Sequence, residues 1–149
     1  MPAGFWTNFK KSLLVKNISD QGPYGGTRAM YWKTDKQNTF ISKTILDFAS
    51  KNGWQFVDSL YFPADSIEKW KLFGEDIFPL SGSGFSPFET NDYEFKKFPR
   101  WITSNIVLYK FKTGWSLLKP GTDDSTEENG FVIINDKGTE MSVYHSWGD

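Results

Sequence analysis

Residues 40–62, FISKTILDFASKNGWQFVDSLYF, decide the fold class. Ile41, Ile45, Leu46, Phe48 and Ala49 recur at the three- and four-residue spacing that gathers side chains on one helical face. Asn52-Gly53 follows, and these residue types tolerate the left-handed backbone that ends a helix. Directly afterwards Trp54, Phe56, Leu60 and Phe62 alternate with Gln55, Val57, Ser59 and Tyr61, a period of two that belongs to a strand. A helix that turns straight back into a strand predicts an α+β domain.

Toward the C-terminus the chain reads as antiparallel sheet. ITSNIVLYKF (102–111) is β-branched and apolar, Thr113-Gly114 separates it from WSLL (115–118), and FVIIN (131–135) is joined to TEMSVYHSW (139–147) by Asp136-Lys137-Gly138. That last pair predicts a hairpin with a glycine where φ must be positive. Between the strands, Pro120 to Gly130 holds Asp123, Asp124, Glu127 and Glu128 among small polar residues and is expected to be an exposed acidic loop. Toward the N-terminus, Phe5, Phe9 and Leu13 stand at i, i+4 and i+8 beside Trp6 and predict a short amphipathic helix over 5–14. Residues 19–26 are dense in turn formers and are expected to be a loop before a strand at 27–34. Asp65-Ser66-Ile67-Glu68 has the spacing of a capping box and starts a second helix that Gly74 stops. From 74 to 100, six Gly and Pro residues interleave with Phe78, Phe85, Phe88, Tyr93, Phe95 and Phe98, a long aromatic-rich loop. The expectation is one domain over 1–149 with a predominantly antiparallel sheet of about five strands. Two or three helices, including those near 41–51 and 65–73, would pack on one face, and 1–26 would form an N-terminal helix and loop.

Composition restricts the chemistry. With no cysteine and one histidine, thiolate catalysis, disulfides and the usual zinc shells have no ligands, so no cofactor and no metal are expected. Formal charge is −1, from 17 basic and 18 acidic residues, so no overall field draws the chain to DNA or RNA. No apolar run is long enough for a transmembrane helix. Lys10 and Lys11 follow Phe5, Trp6 and Phe9, whereas a secretory leader carries its basic residues first. A cytoplasmic location is the expectation.

Each candidate site competes with a plainer structural role. His145 shares a strand face with Met141, Val143 and Trp147, which favours a hydrogen-bonded structural histidine over a catalytic base. The acidic loop lacks the alternating ligand spacing and central glycine of an EF-hand, so it reads as a solvated turn or as a surface that meets a basic partner. Gly22 to Arg28 can present amides and a guanidinium to an anion, but the stretch matches no phosphate-binding motif and leads into a strand. Ser81-Gly82-Ser83-Gly84 does not fit a nucleophile elbow and reads as a flexible turn. No carboxylate pair for glycoside hydrolysis is nominated, because separation in space decides such pairs.

Aromatic residues make up 18% of the chain, more than its periodic elements account for. Phe85, Phe88, Tyr93, Phe95 and Phe98 lie near Lys96, Lys97 and Arg100, so they form either a cluster that pins the long loop or an anchor surface for recognition. Glu89, Asp92 and Glu94 in the same segment weigh against single-stranded nucleic acid. The leading expectation is a non-enzymatic domain that occupies a partner protein, with an immunity-type inhibitor of a toxin as one version. Phe85, Phe88, Tyr93, Phe95, Phe98 and Arg100 would be its anchors, and Asp123, Asp124, Glu127 and Glu128 its rim. The alternative is a small-molecule or glycan-binding domain around Arg28 and His145, or an enzyme restricted to carboxylates, Tyr and His145. A third reading has Phe5, Trp6 and Phe9 docking onto an assembly or a membrane surface.

Overall fold

The C-terminal hairpin forms where the turn chemistry places it. Strands β7 (Gly130–Asn135) and β8 (Glu140–Gly148) pair antiparallel, and Gly138 has φ +67° in the turn between them. Asn135 builds that turn: its Oδ1 accepts from the amides of Thr139 at 2.8 Å and Glu140 at 3.0 Å. Its Nδ2 donates to Thr139 Oγ1 at 2.7 Å. A computed structural model describes residues 2–22, 25–65, 80–81, 84–85, 102–114 and 129–148.

In chain order the other elements are β1 (Leu14–Gly22), β2 (Gly25–Lys33), α1 (Ser42–Lys51), β3 (Gln55–Phe62), β4 (Leu80–Ser81), β5 (Gly84–Phe85) and β6 (Ile106–Lys112). Among the described residues, six strands form one antiparallel sheet in the order β1-β2-β8-β7-β6-β3, and β4 pairs with β5 apart from it. The sheet is therefore one strand larger than the expected five. α1 is the one α-helix of full length among the described residues, and the helix expected from Asp65 to Gly74 lies outside them beyond Asp65.

The added strand, β1, takes in Leu14, expected to end a helix, and Ser19 to Gly22, expected to be loop. Ser19 to Gly22 and Gly25 to Arg28 face each other in a regular ladder that closes at Gly22 and Gly25. Cross-strand pairing, with β8 continuing the sheet beyond β2, outweighs the weak strand propensity of these residues. The expected helix over 5–14 is also replaced. Ala3–Asn8 and Lys11–Leu13 are short 3-10 turns, and Lys10 between them sits at φ 40° in the left-handed region. Trp6 and Phe9 still point inward, because the segment folds onto the sheet and Trp32 Nε1 donates to the Phe9 carbonyl at 2.8 Å.

Two apolar clusters occupy the two faces. On the first, α1 contributes Ile45 and Ala49, the N-terminal turns contribute Trp6 and Phe9, and the sheet contributes Met30, Trp32, Phe111, Val132, Met141 and Val143. On the second, Ala29, Tyr31, Ile106, Leu108, Phe131, Ile133 and Tyr144 are buried. β3 changes phase between the faces. Its register slips between Phe56 and Asp58, so Phe56 lies opposite Phe111 on the α1 face, whereas Leu60 and Phe62 lie opposite Leu108 and Ile106 on the other. The even-numbered residues expected to share one face are thus divided by a bulge at Val57. The strand expected from Ile102 begins at Ile106, and Asn105 before it is a junction: its Oδ1 accepts from the Ala64 amide at 2.8 Å, and its carbonyl accepts from the Asp136 amide at 3.0 Å.

Candidate functional site

The polar chemistry that the fold brings together sits at the end of the first face where α1 terminates. α1 ends at Asn52-Gly53, with Gly53 at φ 90°, and delivers Trp54 into the core. Trp54 lies 5.6 Å from the His145 ring and 5.6 Å from Phe111. Beside it, Thr113 Oγ1 donates to Asn129 Oδ1 at 2.8 Å and approaches His145 Nε2 at 3.3 Å, while Asn129 Nδ2 is 3.4 Å from the same nitrogen. All three side chains are buried, and His145 has no exposed surface.

Gly130 makes this arrangement fit. It stands opposite both Phe111 and His145, and a Cβ there would come 2.6 Å from Thr113 Cγ2 and 2.7 Å from Trp54 Cζ3. Only a glycine lets the indole lie over the ladder beside the threonine.

The Thr113 hydroxyl donates to Asn129, and His145 Nε2 lies within hydrogen-bond reach of both Thr113 Oγ1 and Asn129 Nδ2, so the three side chains form one buried polar group. His145 is fully buried on the strand face it shares with Met141 and Val143.

Arg28 is directly opposite His145 in the β2–β8 ladder, so the two residues nominated for a small ligand are neighbours on one face. Their environments differ. Arg28 Nε donates to Asn17 Oδ1 at 3.2 Å in an exposed contact, and its Nη1 would be 3.4 Å from a Cβ at Gly4. Gly4 itself belongs to the N-terminal turn Ala3–Asn8, and His145 is fully buried.

On the second face, Tyr31 donates its hydroxyl proton to Glu140 Oε1 at 2.8 Å. Burial, that hydrogen bond and the carboxylate charge together push the phenol well above the usual tyrosine range.

Large apolar side chains are exposed at the rim of the sheet: Phe56 (45%) and Tyr61 (62%) on β3, Ile41 (51%) before α1, and Val15 and Ile18 on β1. α1 is held to the sheet at its start by a hydrogen bond between Ser42 Oγ and the Tyr109 hydroxyl. β3 runs back along α1, and Phe56 packs against the Tyr109 ring at 6.3 Å. Ile41, Phe56 and Tyr61 thus belong to one helix-strand unit. Periodicity could not single them out as surface, because it assigned Ile41 and Phe56 to the core.

Of the expected partner anchors, Phe88, Tyr93, Phe95, Phe98 and Arg100 lie outside the described residues, as do Asp123, Asp124, Glu127 and Glu128. Phe85 is placed only as a position in β5, opposite Leu80. Trp6 and Phe9, proposed as a dock, are instead inside the first cluster, with Phe5 packed against it. No group of three or more His, Cys, Asp or Glu among the described residues is arranged to hold a metal, and none of the described helices is long and apolar enough to cross a membrane. Comparisons with protein-family models, with curated proteins and with solved structures found no match to this chain.

Proposed function

We propose that this chain is a non-catalytic binding domain that works by occupying a partner protein, a toxin neutralised by the encounter being one concrete version. One observation carries the reading. The group best suited to proton transfer, His145, is sealed inside the fold, whereas Ile41, Phe56 and Tyr61 hold large apolar surface in water. Burial of such side chains against a partner gives affinity, and aromatic anchors are the usual centres of it. The acidic residues Asp123, Asp124, Glu127 and Glu128 supply steering toward a basic surface in this reading.

A photoreactive residue at position 61, irradiated in native lysate, tests it. Cross-linking to a discrete protein is expected from position 61 and not from position 47 on the exposed side of α1. Equal labelling from both, or none from either, overturns the reading. Charge reversal across 123, 124, 127 and 128 is expected to slow association while leaving the cross-linked partner the same.

A further inference from the structure

We infer that the outer edge of β1 pairs with the same edge of a second copy, making a symmetric antiparallel dimer whose sheet runs continuously through both chains. β1 is a terminal strand of nine residues, and Val15, Lys16, Asn17, Ile18 and Ser19 are all exposed. A terminal strand of that length is a template for another strand. Its register with β2 is irregular only between Leu14 and Lys16, so the ladder is regular from Lys16 to Gly22.

The residue pattern of that regular stretch selects the occupant. With a two-fold axis at Ile18, Lys16 of each copy stands opposite Asp20 of the other, Asn17 opposite Ser19, and Ile18 opposite Ile18. Opposite charges meet twice, polar meets polar twice, and the apolar residue meets itself. Moving the axis to Ser19 sets Ile18 against Asp20, and moving it to Asn17 sets Lys16 against Ile18. One register is therefore self-complementary, as a two-fold interface requires.

The apolar row across the second face leads to the same place. Phe131 lies opposite Tyr144, Tyr144 opposite Ala29, and Ala29 opposite Ile18. The row is buried through Phe131, Tyr144 and Ala29, and ends at Ile18, 51% exposed. A second Ile18 across the axis continues the row and covers this end. β3 does not offer the same fit, because its bulge at Val57 interrupts the ladder and Asp58 has no basic residue within the strand to meet. The dimer edge and the Tyr61 rim are on opposite sides of the sheet, so both surfaces can be filled at once.

Sedimentation of the full chain over a range of concentrations tests this. The expected result is reversible association to about twice 17.2 kDa. Lys16→Asp or Asp20→Lys alone puts like charges opposite each other twice and is expected to weaken the dimer roughly tenfold or more. The double swap K16D/D20K restores the opposite-charge pairs and the dimer with them. Ile18→Asp, with far-UV circular dichroism confirming an intact sheet, yields monomer. A monomer at every concentration overturns the inference. So does a dimer indifferent to these changes, or open-ended assembly of the kind that β1-to-β3 pairing would produce.

Discussion

Gly130 shows how much of the buried polar cluster depends on a missing side chain. Gly130→Ala must displace either Thr113 or the Trp54 indole, and the indole is locked by Phe5, Trp6, Phe111 and His145. The expected loss is about 1–3 kcal/mol, read from urea unfolding. His145→Ala removes a buried ring and strips partners from Thr113 and Asn129, so a loss of roughly 2–4 kcal/mol is expected in the same measurement. Tyr31 carries a pH signature. Because its ionisation is pushed up in the fold, its contribution to stability is complete below the ordinary tyrosine pKa of about 10 and is lost as pH rises beyond that. Tyr31→Phe should cost about 1–2 kcal/mol at neutral pH, and its deficit relative to the parent should shrink between pH 9 and 11. A constant deficit would mean that the phenol ionises alike in both states. At this scale the strand face of His145 was legible in the local alternation of β8. Its partners were not, because Thr113 and Asn129 are 32 and 16 residues away and only the assembled ladder brings them in.

Elements with a strong local signal form where the sequence predicts them. α1 and the β7–β8 hairpin depend on periodicity and on glycines with positive φ, both readable over a few residues. The hairpin turn does more than reverse the chain. The Gly138 carbonyl accepts from the amides of Thr39 and Phe40, and the Lys137 carbonyl from Asn38, so the turn anchors the approach to α1. Gly138→Ala would combine an unfavourable φ with a Cβ about 3.0 Å from the Asn38 backbone, which cannot swing aside as a side chain could. The expected penalty is roughly 2–3 kcal/mol, with proteolysis between residues 33 and 41 accelerated. Elements whose existence depends on partners were not legible. Ser19 to Gly22 and Gly25-Gly26 resemble a loop by composition and become strand only through β1, β2 and β8 together. Phe5, Phe9 and Leu13 keep a helical spacing, yet the chain breaks at Lys10 so that Trp6 and Phe9 can reach Trp32 and Phe48. The bulge in β3 is of the same kind, since strict alternation carries no mark of a register slip.

At the scale of the molecule, an α+β class with an antiparallel sheet was readable from the strand runs, whereas the order of the strands was not. The sheet mixes local and remote pairings: β1 with β2 and β7 with β8 are hairpins, but β2 with β8 joins Gly25 to Gly148 at one end and Lys33 to Glu140 at the other. Chains dominated by such separations fold slowly, and refolding in the millisecond-to-second range is expected by stopped-flow Trp fluorescence. The β2–β8 ladder also has a consequence in time. During synthesis the N-terminal hairpin emerges early, but its inner edge stays without a strand until residues from Glu140 onward have left the ribosome. Two strands alone are marginal in water, so β1 and β2 must wait, with Met30 and Trp32 unburied, for the residues of β8 to be made.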